Sequence, residues 1–152
     1  MRKLLFLFLT LALAACSTIG NAMGNQSEIE QNKEKWQDAN ISHYRYNLFL
    51  SCFCAFNEDM PLIIEVQDGK VVSMEFQSGK EIDPSLQELF AKYQTIDLLF
   101  AELEAGLNGA ADEVTVKYDA TYGFPTEAKI DAIQEAVDDE LYLTISNFEK
   151  LS

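Results

Sequence analysis

The sequence predicts an α+β fold, with an antiparallel sheet of about six strands, helices on one face and the element order αβββ-αβββ. Three observations carry this. From Tyr44 every second residue is apolar or aromatic, the mark of a strand with one buried face. Asp68-Gly69 lies between two apolar segments, Leu62–Val66 and Val71–Phe76, a hairpin signal. Ile96, Leu99, Phe100, Leu103 and Leu107 recur at helical spacing, and further alternating segments follow them. Strands joined by short loops pair antiparallel, and helices then cover one face of the sheet.

Ser27 and Glu30 have capping-box spacing, so a helix is expected from about Glu28 to Ala39, with a thin apolar stripe of Ile29, Trp36 and Ala39. The first strand carries Tyr44, Tyr46, Leu48, Leu50, Cys52, Cys54 and Phe56 on its core face. Arg45, Asn47, Phe49, Ser51, Phe53 and Ala55 lie on a mixed face. In the hairpin, a two-residue loop would set Ile64 opposite Ser73 and Leu62 opposite Glu75. A three-residue loop bulged at Gly69 sets Ile64 opposite Val72 and Leu62 opposite Met74, which keeps one face apolar and is preferred.

Asp83-Pro84 reads as an N-cap with proline at the first helical position, starting a short helix to about Tyr93. Thr95 caps the main core helix, which Asn108-Gly109 ends. Val114, Val116 and Tyr118 alternate as a strand. Thr126 to Asp131 forms the next, with Ala128 and Ile130 inward, and Leu141 to Phe148 the last. The repeated element order is a weak sign of duplication. Such αβββ repeats resemble small periplasmic modules of the PepSY-like and beta-lactamase-inhibitor-protein-like kinds, a likeness of fold that carries no function.

The start of the chain addresses it. Arg2 and Lys3 precede an apolar run from Leu4 to Ala14, and small residues lead to Cys16. A basic start, an apolar stretch and a small-residue cut site make a secretory signal. The run is about half the length a membrane-spanning helix needs. Leu13-Ala14-Ala15-Cys16 resembles the lipobox of bacterial lipoproteins. That resemblance implies cleavage before Cys16 and a covalent lipid, such as palmitate, on Cys16, which anchors the chain to a membrane. By the same resemblance Ser17, in place of aspartate, points to the outer membrane, facing the periplasm. The organisation expected is a signal peptide at 1–15, a flexible Ser-, Gly- and Asn-rich tether at 16–26, and one domain at 27–152.

The 152 residues carry a net charge of −14, and the basic residues Arg2 and Lys3 would leave with the signal. A surface this acidic repels nucleic acid and anionic lipid headgroups, which argues against nucleic-acid binding. It favours solubility and attracts cations or a basic partner.

Three groups are candidates for chemistry. The first is the Cys52/Cys54 pair in an oxidising compartment. Residues two apart in a regular strand are roughly 6.6 Å apart, whereas a disulfide needs Cβ atoms about 3.8 Å apart. A flat strand cannot hold the bond, but a bulge or strand end can. The closed loop would contribute only about 1.6 kcal/mol on the chain-entropy model. A structural disulfide, two buried apolar side chains and a redox or soft-metal pair all fit the spacing. Zinc would lack ligands, since the one histidine, His43, falls on the opposite face.

The second group is acidic: Asp119, Asp131, Asp138, Asp139 and Glu140. They would serve a hard cation such as calcium if their loops met at one sheet end, although they lack EF-hand spacing. Asp119 and Asp131 bracket strands and fit turn capping as well. The third is the loop Tyr118, Asp119, Tyr122, Gly123, Phe124 and Pro125, which is either an exposed aromatic contact or a well-packed turn.

Several features occur together: Trp36, Tyr44-Arg45-Tyr46, Cys52-x-Cys54, Asp68-Gly69, Thr95-Ile96-x-x-Leu99-Phe100, Tyr118-Asp119-x-x-Tyr122-Gly123-Phe124-Pro125-Thr126, Ile130-Asp131 and Asp138-Asp139-Glu140. In combination the chain resembles a bacterial family of uncharacterised small lipoproteins across nearly the whole mature domain. The resemblance implies no activity. No nucleophile elbow marks a hydrolase. The reading from sequence is a non-enzymatic envelope lipoprotein that binds a partner protein or ligand through a sheet face or loop end. The alternative is a thiol redox or metal-handling protein that uses Cys52 and Cys54.

Overall fold

The computed structural model describes residues 17–52, 54–133, 136 and 139–152, with side chains from Asn25 onward. Cys16 and Asp138 therefore lie outside the described residues.

The first half is a helix, α1 (Ser17–Asp38), then strands β1 (His43–Ser51), β2 (Leu62–Gln67) and β3 (Lys70–Phe76). The second half is α2 (Gln87–Ala91), α3 (Ile96–Ala105), then β4 (Glu113–Tyr118), β5 (Pro125–Asp131) and β6 (Glu140–Lys150). All pairings are antiparallel and the spatial order is β3-β2-β1-β6-β5-β4. Each half is a three-stranded meander, and the two join where β1 pairs with β6. The expected α+β fold is present, with one short helix more than a strict αβββ repeat.

Tyr44, Tyr46, Leu48 and Leu50 of β1 are all buried, as the alternation requires. Their face meets the helices. The Tyr46 hydroxyl donates to the Tyr93 carbonyl at 3.2 Å, and the Tyr44 hydroxyl accepts from the Ile96 amide at 3.2 Å. The second bond satisfies one of the orphan amides at the start of α3. Thr95 Oγ1 caps the same turn by accepting from the Leu98 amide at 3.2 Å. Burial pushes the Tyr44 phenol up to about 12 and the Tyr46 phenol up as well, so both stay neutral. Asp83 accepts from the Ser85 amide at 2.8 Å, as an N-cap before Pro84, and a 3₁₀ turn runs into α2. After α3 a wide turn, Gly106–Ala110, ends with Gly109 at a φ of 100°.

Three expectations are corrected. The helix α1 already exists at Ser17 and runs through the stretch read as a tether. Ser27 sits inside the helix, where its hydroxyl accepts from Gln31 Nε2 at 3.1 Å, so it is not a cap. Gly20 and Gly24 disfavour a helix by only about 1 kcal/mol each, and the stretch contains no proline.

The hairpin has a two-residue loop, with Asp68 at a φ of 51° and Gly69 at 72°, and Val66 pairs with Val71. The extra residue is Val72, not Gly69. Beyond this bulge Ile64 faces Met74 and Leu62 faces Phe76. The demand for one apolar face was sound, but the chain meets it by pushing Val72 outward, 54% exposed.

The strand β1 stops at Ser51 rather than reaching Phe56. The Cys54 amide turns back onto the Cys52 carbonyl at 2.7 Å, and a 3₁₀ turn, Asn57–Asp59, follows. Phe56 is still buried, packed edge-on against Phe90.

The face of β6 changes partway along the strand. Leu143 and Ile145 face inward, yet so does Phe148. Asn147 at a φ of 51° marks the shift in the β1–β6 register, which brings Phe148 back to the core side. Phe148 there stacks on Phe124 and meets Trp36 and Tyr44.

Candidate functional site

Cys52 and Cys54 are joined by a disulfide, with Cα atoms 5.1 Å apart. The chain achieves this at a strand end, the one kind of place besides a bulge where the spacing permits it. Asn57 secures the turn: its Nδ2 donates to the Cys52 carbonyl at 2.6 Å and its amide to the Cys54 carbonyl at 3.3 Å. Asn57 Oδ1 is buried and has no partner among the described residues. Both cysteines are half-buried against the core.

The aromatic loop is a packed turn and not an exposed contact. Asp119 Oδ1 accepts from the Thr121 amide at 2.9 Å and the Tyr122 amide at 2.6 Å, so this carboxylate organises the turn. Tyr118 stacks on Phe100, and burial raises its phenol. Tyr122 tilts against Phe148, and Phe124 is buried between Phe148 and Trp36. Pro125 opens β5 and is buried. Gly123, at a φ of 81°, backs onto α1, and Lys35 Nζ donates to the Ala120 carbonyl. Through Gly123, Phe124 and the Ala120 carbonyl, this turn fastens α1 to the sheet.

The acidic set does not converge as a whole. Asp119 follows the end of β4, whereas Asp131 pairs with Glu113 at its start. The six residue steps between put them about 20 Å apart. At the far end Glu113, Asp131 and Glu140 form one cross-strand row. Lys129 relieves their repulsion, with Nζ 3.1 Å from Asp131 and 3.4 Å from Glu113, and the Asp131 contact raises its ammonium pKa. Asp139 Oδ2 accepts from the Ile133 amide at 2.7 Å. Among the described residues no three of His, Cys, Asp and Glu are grouped to hold a metal.

His43 bridges strands and chain end. Its Nε2 lies 2.9 Å from Glu65 and its Nδ1 3.3 Å from the Ser152 carbonyl. The Glu65 hydrogen bond raises the imidazole above its ordinary value. A raised value means that this contact stabilises the fold fully below about pH 6.5 and that its contribution fades as pH rises through the folded value.

What the sequence did not bring forward is the sheet face away from the helices. There Phe49 is 39% and Tyr142 49% exposed. Thr144 faces Phe49 and Ser51 faces Tyr142, so the two rings occupy diagonal positions on β1 and β6. Asn47 and Ser146 continue the face on one side and Lys129 on the other. Phe49 was visible as an apolar interruption of the polar set, but Tyr142 needed the β6 pairing. A separate cleft of about 140 Å³ at the free edge of β4 is lined by Leu107, Val114, Val116 and Tyr118, among others. That is smaller than pockets for small molecules, which run from about 300 Å³ upward.

The architecture and the site define a small α+β domain with one helix-covered and one open sheet face. The chain belongs to the family of unknown function DUF6174, whose family model matches residues 28–150. No curated protein and no solved structure matches the chain.

Proposed function

We propose that this protein is a non-enzymatic accessory lipoprotein of the cell envelope. It is held by a lipid on Cys16, in the outer membrane facing the periplasm, and meets a partner protein through the open face of its sheet. The observation that carries the envelope placement is Leu13-Ala14-Ala15-Cys16 after a basic, then apolar, start. The open face supports the binding role, because Phe49 and Tyr142 sit exposed side by side on a rigid scaffold. The cation-attracting charge supports a basic partner.

Cys16→Ala tests the anchor. The full chain carrying it is expected to lose the acyl mass and to move from the membrane pellet to the soluble fraction. Retention in the membrane without any lipid would overturn the reading.

The disulfide favours a second reading, thiol exchange in the envelope. A partner dithiol would give two electrons and two protons to the Cys52–Cys54 bond, leaving two thiols here and a disulfide on the partner. The expected result on this reading is a reduction potential above about −230 mV, the range of exchange proteins. A value below about −300 mV would make the bond structural. In that case Cys52→Ala with Cys54→Ala should cost only about 1.6 kcal/mol of stability, the worth of so short a loop.

A further inference from the structure

The sheet has two edges, and they differ. On β3 the bulge at Val72 breaks the line of the strand, a common way to discourage edge pairing. On β4 the register runs without a shift from Glu113 to Lys117. Two contacts show which way its backbone groups point. The Val114 carbonyl accepts from Asn25 Nδ2 at 3.5 Å, so it faces away from β5. The Lys117 carbonyl accepts from Thr126 Oγ1 at 3.2 Å, so it faces across the β4–β5 seam. Because direction alternates along a strand, Val114 and Val116 present their amides and carbonyls at the free edge.

The residues Glu113-Val114-Thr115-Val116-Lys117 are complementary to themselves when reversed. Laid antiparallel about Thr115, Glu113 meets Lys117, Val114 meets Val116, and Thr115 meets Thr115. The backbone agrees with this register. It makes Val114 and Val116 of the two chains hydrogen-bonded pairs, and it leaves Thr115 opposite Thr115 as the close, non-hydrogen-bonded pair.

We infer that the free edge of β4 binds the same edge of a second copy of this chain, antiparallel and centred on Thr115, to give a two-fold dimer with a continuous sheet. Charge complementarity names the occupant. Within each chain Lys129 lies 3.4 Å from Glu113, and Lys117 lies 2.6 Å from Glu127. Pairing extends this to an alternating row of Lys129 and Glu113, then Lys117 and Glu127 of the second copy. Opposite charges directly across strands stabilise a pair, as does threonine facing threonine. On the helix side the cleft lined by Leu107, Val114, Val116 and Tyr118 takes the valines of the second copy. Asn25 releases its long bond to the Val114 carbonyl, which then accepts from the Val116 amide of the second copy. The symmetry is isologous and closes at two. The axis stands perpendicular to the sheet, so both helical layers lie on the same side.

The test is register-specific crosslinking of the full chain in its own membrane. The non-hydrogen-bonded pair sets Cα atoms about 4.5 Å apart, within disulfide range. Mild oxidation of Thr115→Cys is expected to give a disulfide-linked dimer on a non-reducing gel, while Val72→Cys, also exposed but on the bulged edge, gives little. Glu113→Cys expressed with Lys117→Cys should crosslink, and either alone should not. Equal crosslinking from Val72→Cys, or none from Thr115→Cys while its thiol still reacts with an alkylating reagent, would overturn the proposal. A second measurement is independent of oxidation. Thr115→Glu faces Lys129 within its own chain and leaves the monomer folded, yet it opposes two carboxylates across the axis. Sedimentation should show self-association weakened by about fivefold or more. Unchanged association would equally overturn the dimer.

Discussion

Gly123→Ala is expected to destabilise the domain by about 2–4 kcal/mol, read as a lower midpoint in urea denaturation. Two effects add. The backbone at a φ of 81° disfavours any side chain. A Cβ built there also lies 2.5 Å from the Asn32 carbonyl oxygen and 3.0 Å from Lys35 Cβ, both on α1. The nearer atom is backbone and cannot swing aside, so either α1 lifts or the loop opens. Gly69→Ala is the control. It has a φ of 72° but nothing within 4 Å of the added carbon, so it should lose only about 1–2 kcal/mol. Equal losses at the two glycines would mean that α1 is not clamped by this loop.

The same loop shows why part of the site escaped the sequence. Gly and Pro marked Asp119 to Pro125 as a turn, and the choice between exposed contact and packed turn hung on what lay against Phe124. That neighbour is Trp36, far away in sequence, and no local pattern reveals it. The bulges are a second such limit. Alternation places Tyr44, Tyr46, Leu48 and Leu50 inward correctly because β1 is regular there. It fails at Val72 and at Asn147, where one added residue reverses the face of everything beyond it. Capping signals at Asp83 and Thr95 were legible because they act within one turn. The Ser27 signal misled, because helix start depends on whether anything upstream stops the helix. The β4 edge was legible as a strand, but the direction of its backbone groups needed the pairing with β5.

Trp36→Ala is expected to cost about 3–5 kcal/mol, the usual range for deleting a buried large aromatic ring. Trp36 is 4% exposed and meets Tyr44 at 5.3 Å, Phe148 at 6.0 Å and Phe124 at 6.2 Å, all edge-on. Those three rings come from β1, from the far end of β6 and from the loop that leads into β5. One side chain of α1 therefore binds both meanders, across the seam where they join. Edge-on ring pairs add about 0.5–1.5 kcal/mol each beyond burial, so part of the loss should persist in Trp36→Leu, which fills much of the volume without a ring. Trp36 is also the sole tryptophan, so its fluorescence in the parent protein reports this junction alone. In urea it should shift to the red at the same midpoint as the far-ultraviolet circular dichroism. An earlier fluorescence transition, with Trp36→Ala costing under about 1 kcal/mol, would show that α1 detaches before the sheet unfolds. The helix would then be a separable cover over the sheet and not the element that ties its halves together.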